Sequence, residues 1–339
     1  MKFERFLALL LAGALGSAIA WLSAGSNVWA QGKRLDPKTN PVKPFTFAAI
    51  GDMPYELPSP VVKFDRLVTA INAAKPAFTF HVGDIFSGRT RCLEKHYAFV
   101  KQRFGRFENA LIYTPGDNEW TDCHRMFAGQ YDPLNRLDLV RRVFFADPRR
   151  SLGRKPMKLV PQPRVMPRHA RYVENRRFEH GGIVFVTVHV VGSRNNARRD
   201  SPAAMAEFQA RNKANLAWIK AGFDHAAKRK AKGLVFAWQA NVHATPRYNR
   251  NAPYSQAYTP VIDAIEAGKR RYRQPVLVIS GDFHRFEVAP FRNSRRVPIQ
   301  GVTRLQVFGA DRVHGTLIRV DPTGARRFTI KPLIVNENR

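Results

Sequence analysis

Four apolar runs in this 339-residue chain end in the dipeptide Gly-Asp. They close on Gly51-Asp52, Gly83-Asp84, Gly116-Asp117 and Gly281-Asp282, and the last continues through Phe283 to His284. One Gly-Asp by itself marks a turn or a helix cap, because Asp serves well in both. Four of them at the ends of apolar runs need another explanation. In open α/β sheets ligands bind where strands end and loops begin. Glycine before each Asp lets the backbone come close to a bound group. Carboxylates crowded together repel one another unless cations neutralise them. Such a cluster with one imidazole, His284, is a donor set for two metal ions.

Positioning these residues requires strands that deliver their ends to one place. Residues 45–51, 77–83, 110–114, 182–192, 233–239 and 275–280 read as strands, most of them continuously apolar. Between them, 61–75, 92–107, 134–145, 201–230 and 260–270 carry apolar residues at helical spacing. Ser201 followed by Pro202 is a good helix start. Strands alternating with helices predict an α/β layered sandwich with a mixed sheet. The last forty residues alternate like a β-meander, with a turn at Pro322-Thr323-Gly324. Residues 148–177 are rich in Arg and Pro and read as an irregular excursion, a candidate lid. The chain reads as one domain over 44–339, behind a polar leader at 31–43.

The order of the Gly-Asp stations resembles the calcineurin-like metallophosphoesterases. That family's pattern is Asp-x-His, Gly-Asp, Gly-Asn-His-Glu, a strand ending in His, and Gly-His-x-His. Here the corresponding residues are Asp52-Met53-Pro54, Gly83-Asp84, Gly116-Asp117-Asn118-Glu119, Trp238-Gln239 and Gly281-Asp282-Phe283-His284. The resemblance implies a four-layer α/β/β/α sandwich with mixed β-sheets. It implies one metal at Asp52, Asp84 and His284. A second would see Asp84, Asp117, Asp282 and either Gln239 or His243, with Asp84 bridging. The oxygen-rich set favours Mn²⁺, Mg²⁺ or Ca²⁺ over Zn²⁺. The implied activity is hydrolysis of a phosphate ester by a metal-activated water.

The departures from the pattern are chemical. Pro54 has no ligand atom in its side chain. Asn118 stands at the phosphate-contacting His, and an amide can donate a hydrogen bond but cannot act as an acid. These losses keep a second reading open: a catalytically silent relative that binds a phosphorylated ligand or anionic polymer in the same pocket. Glu119 and Trp120 read as structural. His81 and His189, inside strands, read as core histidines, and Tyr55 as a packed or phosphate-facing residue. His124 is a candidate substitute acid.

The chain carries a formal charge of +30, with 56 Lys and Arg against 26 Asp and Glu. This surface favours anionic substrates, phosphate-rich polymers or anionic lipid as partners. Lys2 and Arg5 precede an apolar stretch over 6–22, and Val28-Trp29-Ala30 offers small residues for cleavage. This is the pattern of an export signal, with an uncleaved membrane anchor as the other reading. No later segment is long and apolar enough to span a bilayer. Export predicts a periplasmic or secreted protein, and two cysteines, Cys92 and Cys123, then suggest a disulfide. The mature N-terminus is expected at Gln31. Mass spectrometry of protein recovered from the cell envelope checks this, and an intact Met1–Ala30 counts against it.

Overall fold

The computed structural model describes residues 43–244 and 255–338. The expected cleavage point after Ala30 and nearly all of the leader lie outside these residues. Among the described residues no helix is long and apolar enough to cross a membrane.

The chain builds two sheets. β1 (Phe45–Ile50), β2 (Phe78–His81) and β3 (Ala110–Tyr113) run parallel to one another. β11 (Gly315–Val320) and β12 (Phe328–Leu333) complete this sheet in the order β12-β11-β1-β2-β3. The second sheet contains β4 (Val160–Pro161), β5 (Arg176–His180), β6 (Ile183–Thr187), β7 (Gly233–Ala237), β8 (Val276–Ser280), β9 (Glu287–Arg292) and β10 (Pro298–Gln306). Its order is β4-β5-β6-β7-β8-β10-β9, and β6, β7 and β8 are mutually parallel. Parallel neighbours need a crossover to return the chain. α1 (Val62–Ala74) and α2 (Glu94–Phe104) supply it in the first sheet; α4 (Pro202–Lys228) and α5 (Thr259–Arg271) supply it in the second. α3 (Pro133–Phe144) follows β3.

Side-chain alternation divides these elements into four layers. Phe47 and Ala49 of β1 face the second sheet, where they join Phe78, Phe80, Phe185, Val235 and Leu277. Ala48 and Ile50, one residue out of step, face the helices and pack with Phe64, Val100 and Phe104. On the far side, Val184, Phe236 and Val278 meet Trp218 and Ile262 of α4 and α5. The result is an α/β/β/α sandwich with mixed β-sheets. Its helix starts follow local chemistry: Ser201 accepts a hydrogen bond from the Ala204 amide, and Asp132 accepts one from Asn135.

Two expectations need correction. The C-terminal strands do not form one meander. β9 and β10 are a hairpin in the second sheet, while β11 and β12 are a hairpin in the first. Alternation reports that a strand has a buried face, not which sheet buries it. Nor is the Arg- and Pro-rich excursion a lid. Asn175 donates to Gln162 and Asn215, and Gln162 donates to the Ala214 carbonyl, all of them buried. The buried Arg176 guanidinium bonds the Tyr113 carbonyl at 2.6 Å and lies over the Phe145 ring. These bonds tie the excursion to α4 and to the end of β3.

Cys92 and Cys123 form a disulfide, with their Cα atoms 5.8 Å apart. Both sulfurs lie under the Asn118 carbonyl. Closing a loop of this size contributes roughly 3–4 kcal/mol in the chain-entropy model. The double variant Cys92→Ala, Cys123→Ala is therefore expected to unfold at lower urea, with a loss of about 2–4 kcal/mol. An unchanged midpoint counts against this stabilisation.

Candidate metal centre

The parallel strands of both sheets end at one edge. β1, β2 and β3 deliver Asp52, Asp84 and Asp117 there; β6, β7 and β8 deliver Gly192, Gln239 and Asp282. The two sheets are joined at this edge by the Asp282 amide, which donates to Asp52 Oδ1 at 2.8 Å. The backbone is strained here. Asp52, Asp84, Asp282 and His284 have φ values of 53°, 55°, 80° and 55°. Left-handed backbone at a residue with a side chain costs about 1–3 kcal/mol and persists only where the surroundings hold it. Asp52, Asp84 and Asp282 themselves thus adopt the unusual conformation, Gly83 shares it at φ 90°, and Gly116 and Gly281 give room. A β-carbon at Gly281 would lie 2.3 Å from Asp52 Oδ2, and one at Gly116 would lie 2.1 Å from Asp84 Oδ1.

Asp52, Asp84 and His284 each offer a ligand atom, and the three atoms lie within 4.8 Å of one another. Tyr55 reaches into the same place. Its hydroxyl donates to Asp84 Oδ2 at 2.9 Å, lies 3.2 Å from His284 Nε2, and accepts from Asn118 Nδ2 at 2.7 Å. Tyr55 is therefore a contact of the carboxylates, a role that Gly51-Asp52-Met53-Pro54-Tyr55 signals only by nearness in sequence. The Asn118 amide nitrogen also lies 2.9 Å from Asp84 Oδ2, and its backbone amide donates to Asp84 Oδ1. Its donor side thus faces Tyr55 and Asp84.

Glu119 holds the loop behind the centre. Its Oε1 accepts from the Gly116 and Asp84 amides and from the Tyr113 hydroxyl. Asp117 is met from the opposite sheet by Ser193, which sequence reasoning missed. The Ser193 Oγ lies 2.7 Å from Asp117 Oδ2 and 2.7 Å from Asp122 Oδ1. Ser193 belongs to an unusual segment: Ser193, Arg194, Asn195 and Asn196 all have φ between 46° and 61°. Successive left-handed residues cost roughly 1–2 kcal/mol each. No pattern in the sequence announces such a turn, although Asn tolerates this conformation better than most residues.

The two alternative ligands are committed elsewhere. Gln239 Oε1 accepts from the Gly192 amide at 2.5 Å, so its NH₂ group, which cannot ligate, is the end left over. The His243 ring meets the Arg292 carbonyl at 2.8 Å and packs on Phe291. Gln239 Oε1 and His243 Nε2 thus each meet a backbone group. Asp282 accepts from the Asn241 amide. His81 and His189 are buried core residues, and His124 bonds the Thr121 carbonyl.

Burial and mutual repulsion raise the carboxyl groups far from their ordinary range. Asp52 and Asp84 are pushed well up, first by burial and then by neighbouring acids. Asp282 and Glu119 are each raised to about 7, again chiefly by burial. Burial lowers the His284 imidazole. Asp52 Oδ2 and Asp117 Oδ1 are buried with no hydrogen-bond partner among the described residues. Unpartnered carboxylate oxygens beside a neutral imidazole fit a hard divalent cation at Asp52, Asp84 and His284. Asp117 and Asp282 extend the set.

No protein-family model matches this chain, and no curated protein does. Similar solved structures include GAP50, the anchor in the inner membrane complex of Plasmodium (9% identity, TM-score 0.48, 86% of this chain and 89% of that one). Purple acid phosphatase PPD1 from yellow lupin seeds is similar at 10% identity and TM-score 0.45, over 88% of this chain and 56% of that one. The Thermus thermophilus sulfate thiohydrolase SoxB, in complex with glycerol, follows at 14% identity and TM-score 0.40, over 80% and 42%. The chain thus spans little more than half of the phosphatase and less than half of SoxB.

The raised carboxyls fix a pH dependence. A folded-state value of about 7 for Asp282, against about 4 in an unfolded chain, means that the folded state keeps a proton the unfolded state releases. That stability is present below pH 4 and is lost as the pH rises through 7. Chelator-treated protein is expected to unfold at progressively lower urea between pH 4 and 7. Mn²⁺ at pH 7 should reverse the fall, and Asp282→Asn should make it shallower, the remainder coming from Asp52, Asp84 and Glu119. A flat profile with no response to Mn²⁺ contradicts the assignment.

Proposed function

We propose that this chain is an exported, metal-dependent phosphoesterase. The observation that carries the reading is the convergence of Asp52, Asp84 and His284 within 4.8 Å, with unpartnered carboxylate oxygen beside them. The order of the Gly-Asp stations, similar to that of the calcineurin-like metallophosphoesterases, supports phosphate esters as substrates. The buried disulfide and the charge pattern of residues 1–30 support export.

Asp52, Asp84 and His284 would hold one divalent cation, and Asp84, Asp117 and Asp282 a second. When bound, such a pair supplies an acidified water and positive charge against the phosphoryl oxygens. The rest falls to the chain. Asp84 stands between the two sets and is oriented by the Tyr55 hydroxyl and both nitrogens of Asn118. Glu119 fixes the loop that carries Asp117 and Asn118. Oxygen ligands favour Mn²⁺, Mg²⁺ or Ca²⁺. Among these groups none is placed as a proton donor to a leaving alcohol, so esters with good leaving groups are the favoured substrates.

A second reading is a binding protein without turnover. The inward-facing Asn118 amide and the commitments of Gln239 and His243 favour it. Asp84→Asn separates the two. In the enzyme it removes the charge shared by both cations, and hydrolysis of a generic phosphodiester in Mn²⁺ should fall by at least about 10²–10³-fold. Metal content should fall with it. Wild-type protein that binds metal but hydrolyses neither monoester nor diester supports the binding reading. Activity unaffected by Asp84→Asn removes the proposed centre.

A further inference from the structure

An anionic ligand at this centre needs a donor that Asn118 does not provide. Its amide nitrogen is turned to Tyr55 and Asp84. Its oxygen faces Gly88, where a β-carbon would lie 2.6 Å from Asn118 Oδ1 and 3.3 Å from an Arg125 guanidinium nitrogen. Arg125 and the outer side of Asn118 therefore meet over a residue that has no side chain. The guanidinium is fixed on two sides. One nitrogen bonds Asp122 Oδ2 at 2.7 Å, and the other bonds Ser193 Oγ at 3.0 Å. These contacts use two of its five N–H donors. The Asp122 side chain is 2% exposed, while that of Arg125 is 48% exposed. The charge is thus anchored at its inner edge and open at its outer edge.

The anchor is costly to build. Ser193 is the first of the four left-handed residues, and the turn is held from below by Arg211, which is fully buried. Arg211 bonds Asn195 Oδ1 at 2.6 Å, the Asn195 carbonyl at 2.9 Å and the His189 carbonyl at 2.8 Å. Its charge is balanced by Glu207, and its guanidinium lies over the Trp120 ring. Asn195 and Asn196 tolerate this backbone; Ser193 has less reason to adopt it. Yet Ser193 is the residue whose hydroxyl meets Asp117, Asp122 and Arg125 together. Strain held in place by a buried network, at the residue that touches the candidate centre, is the usual sign of a functional constraint.

We infer that Arg125 is a substrate-binding residue of this centre. Its guanidinium takes the oxygens of a phosphate-type anion beside Asn118, and the left-handed turn Gly192–Asn196 holds it there through Ser193. A planar fork of N–H donors suits such an anion, and charge-assisted bonds of this kind are stronger than those an amide could make. This inference rests on the proposed metal-dependent phosphoesterase, whose ligand recognition it specifies.

The test is calorimetric titration of inorganic phosphate into Mn²⁺-loaded protein, with Mn²⁺ affinity measured separately. Arg125→Ala is expected to weaken phosphate about 10-fold or more, while Mn²⁺ affinity stays close to wild type and the melting temperature falls because Asp122 loses its partner. Arg125→Lys, which keeps the charge but loses the fork, should recover part of the loss. Ser193→Ala should weaken phosphate by a smaller factor. Equal phosphate affinity in wild type and Arg125→Ala overturns the inference and leaves the phosphoesterase reading standing. So does a loss of Mn²⁺ in parallel with phosphate, because Arg125 would then be only a structural support. Wild-type protein that binds Mn²⁺ but not phosphate also overturns it, and wild-type protein that binds neither removes the metal centre as well.

Discussion

Buried negative charge that the protein does not itself neutralise is the constraint around which this structure is arranged. Asp52, Asp84, Asp117 and Asp282 gather where two sheets end, with Glu119 directly behind them. Burial above all, and then the neighbouring acids, favours the protonated form of Asp52 and Asp84. What the chain sets against this repulsion is mostly backbone. Amides of Asp282, Asn118, Gly116, Asp84 and Asn241 all donate to these carboxylates. The left-handed conformations at Asp52, Asp84, Asp282 and His284 belong to the same arrangement, since they turn amides and carboxylates toward one another.

A second buried polar cluster shows what the chain does when charge serves only structure. Glu174 is fully buried, yet Arg141 and His189 outweigh burial and hold its carboxyl well below the usual range. Arg211 and Glu207 pair beside it. There every acid has a base, as a buried ion pair requires if it is not to destabilise the fold. Among the described residues the carboxylates at the sheet ends face no arginine or lysine at ion-pair distance, and the His284 imidazole lies 3.8 Å from Asp52 Oδ1. Arg125 touches Asp122, one step removed. Within one chain, acids are paired in the scaffold and lack such partners at the sheet ends, where Asp52, Asp84 and His284 form a group that could hold a metal ion.

The two clusters are linked through the left-handed turn. Arg211 and Asn215 bind the His189 carbonyl, Arg211 shapes Asn195, and Ser193 then reaches Asp117 from the second sheet. On the other side, the disulfide lies under the Asn118 carbonyl and restrains the loop carrying Asp117 and Asn118. The rim is thus supported from both sheets. The centre thus lies at the end of the apolar core that already joins the two sheets.

Much of this was legible in the residues themselves. Period-two and period-3.6 patterns follow from backbone geometry, so helices such as 62–74 and 202–228 and the strands preceding each Gly-Asp could be read directly. The grouping of Asp52, Asp84 and His284 was implied by the order of the Gly-Asp stations and its resemblance to the calcineurin-like metallophosphoesterases, and their ligand atoms lie within 4.8 Å of one another. Tertiary structure alone decided the rest. Which sheet receives β10 or β11 depends on long-range pairing that alternation cannot report. Whether Asn118 faces in or out, and whether Gln239 offers oxygen or nitrogen, is set by partners remote in the chain. Ser193 and Arg125 carry no motif; they meet across 68 positions of sequence only because a turn with unfavourable local energy is held by a buried arginine. Local sequence encodes local preference, and here the groups around the carboxylates are placed against it.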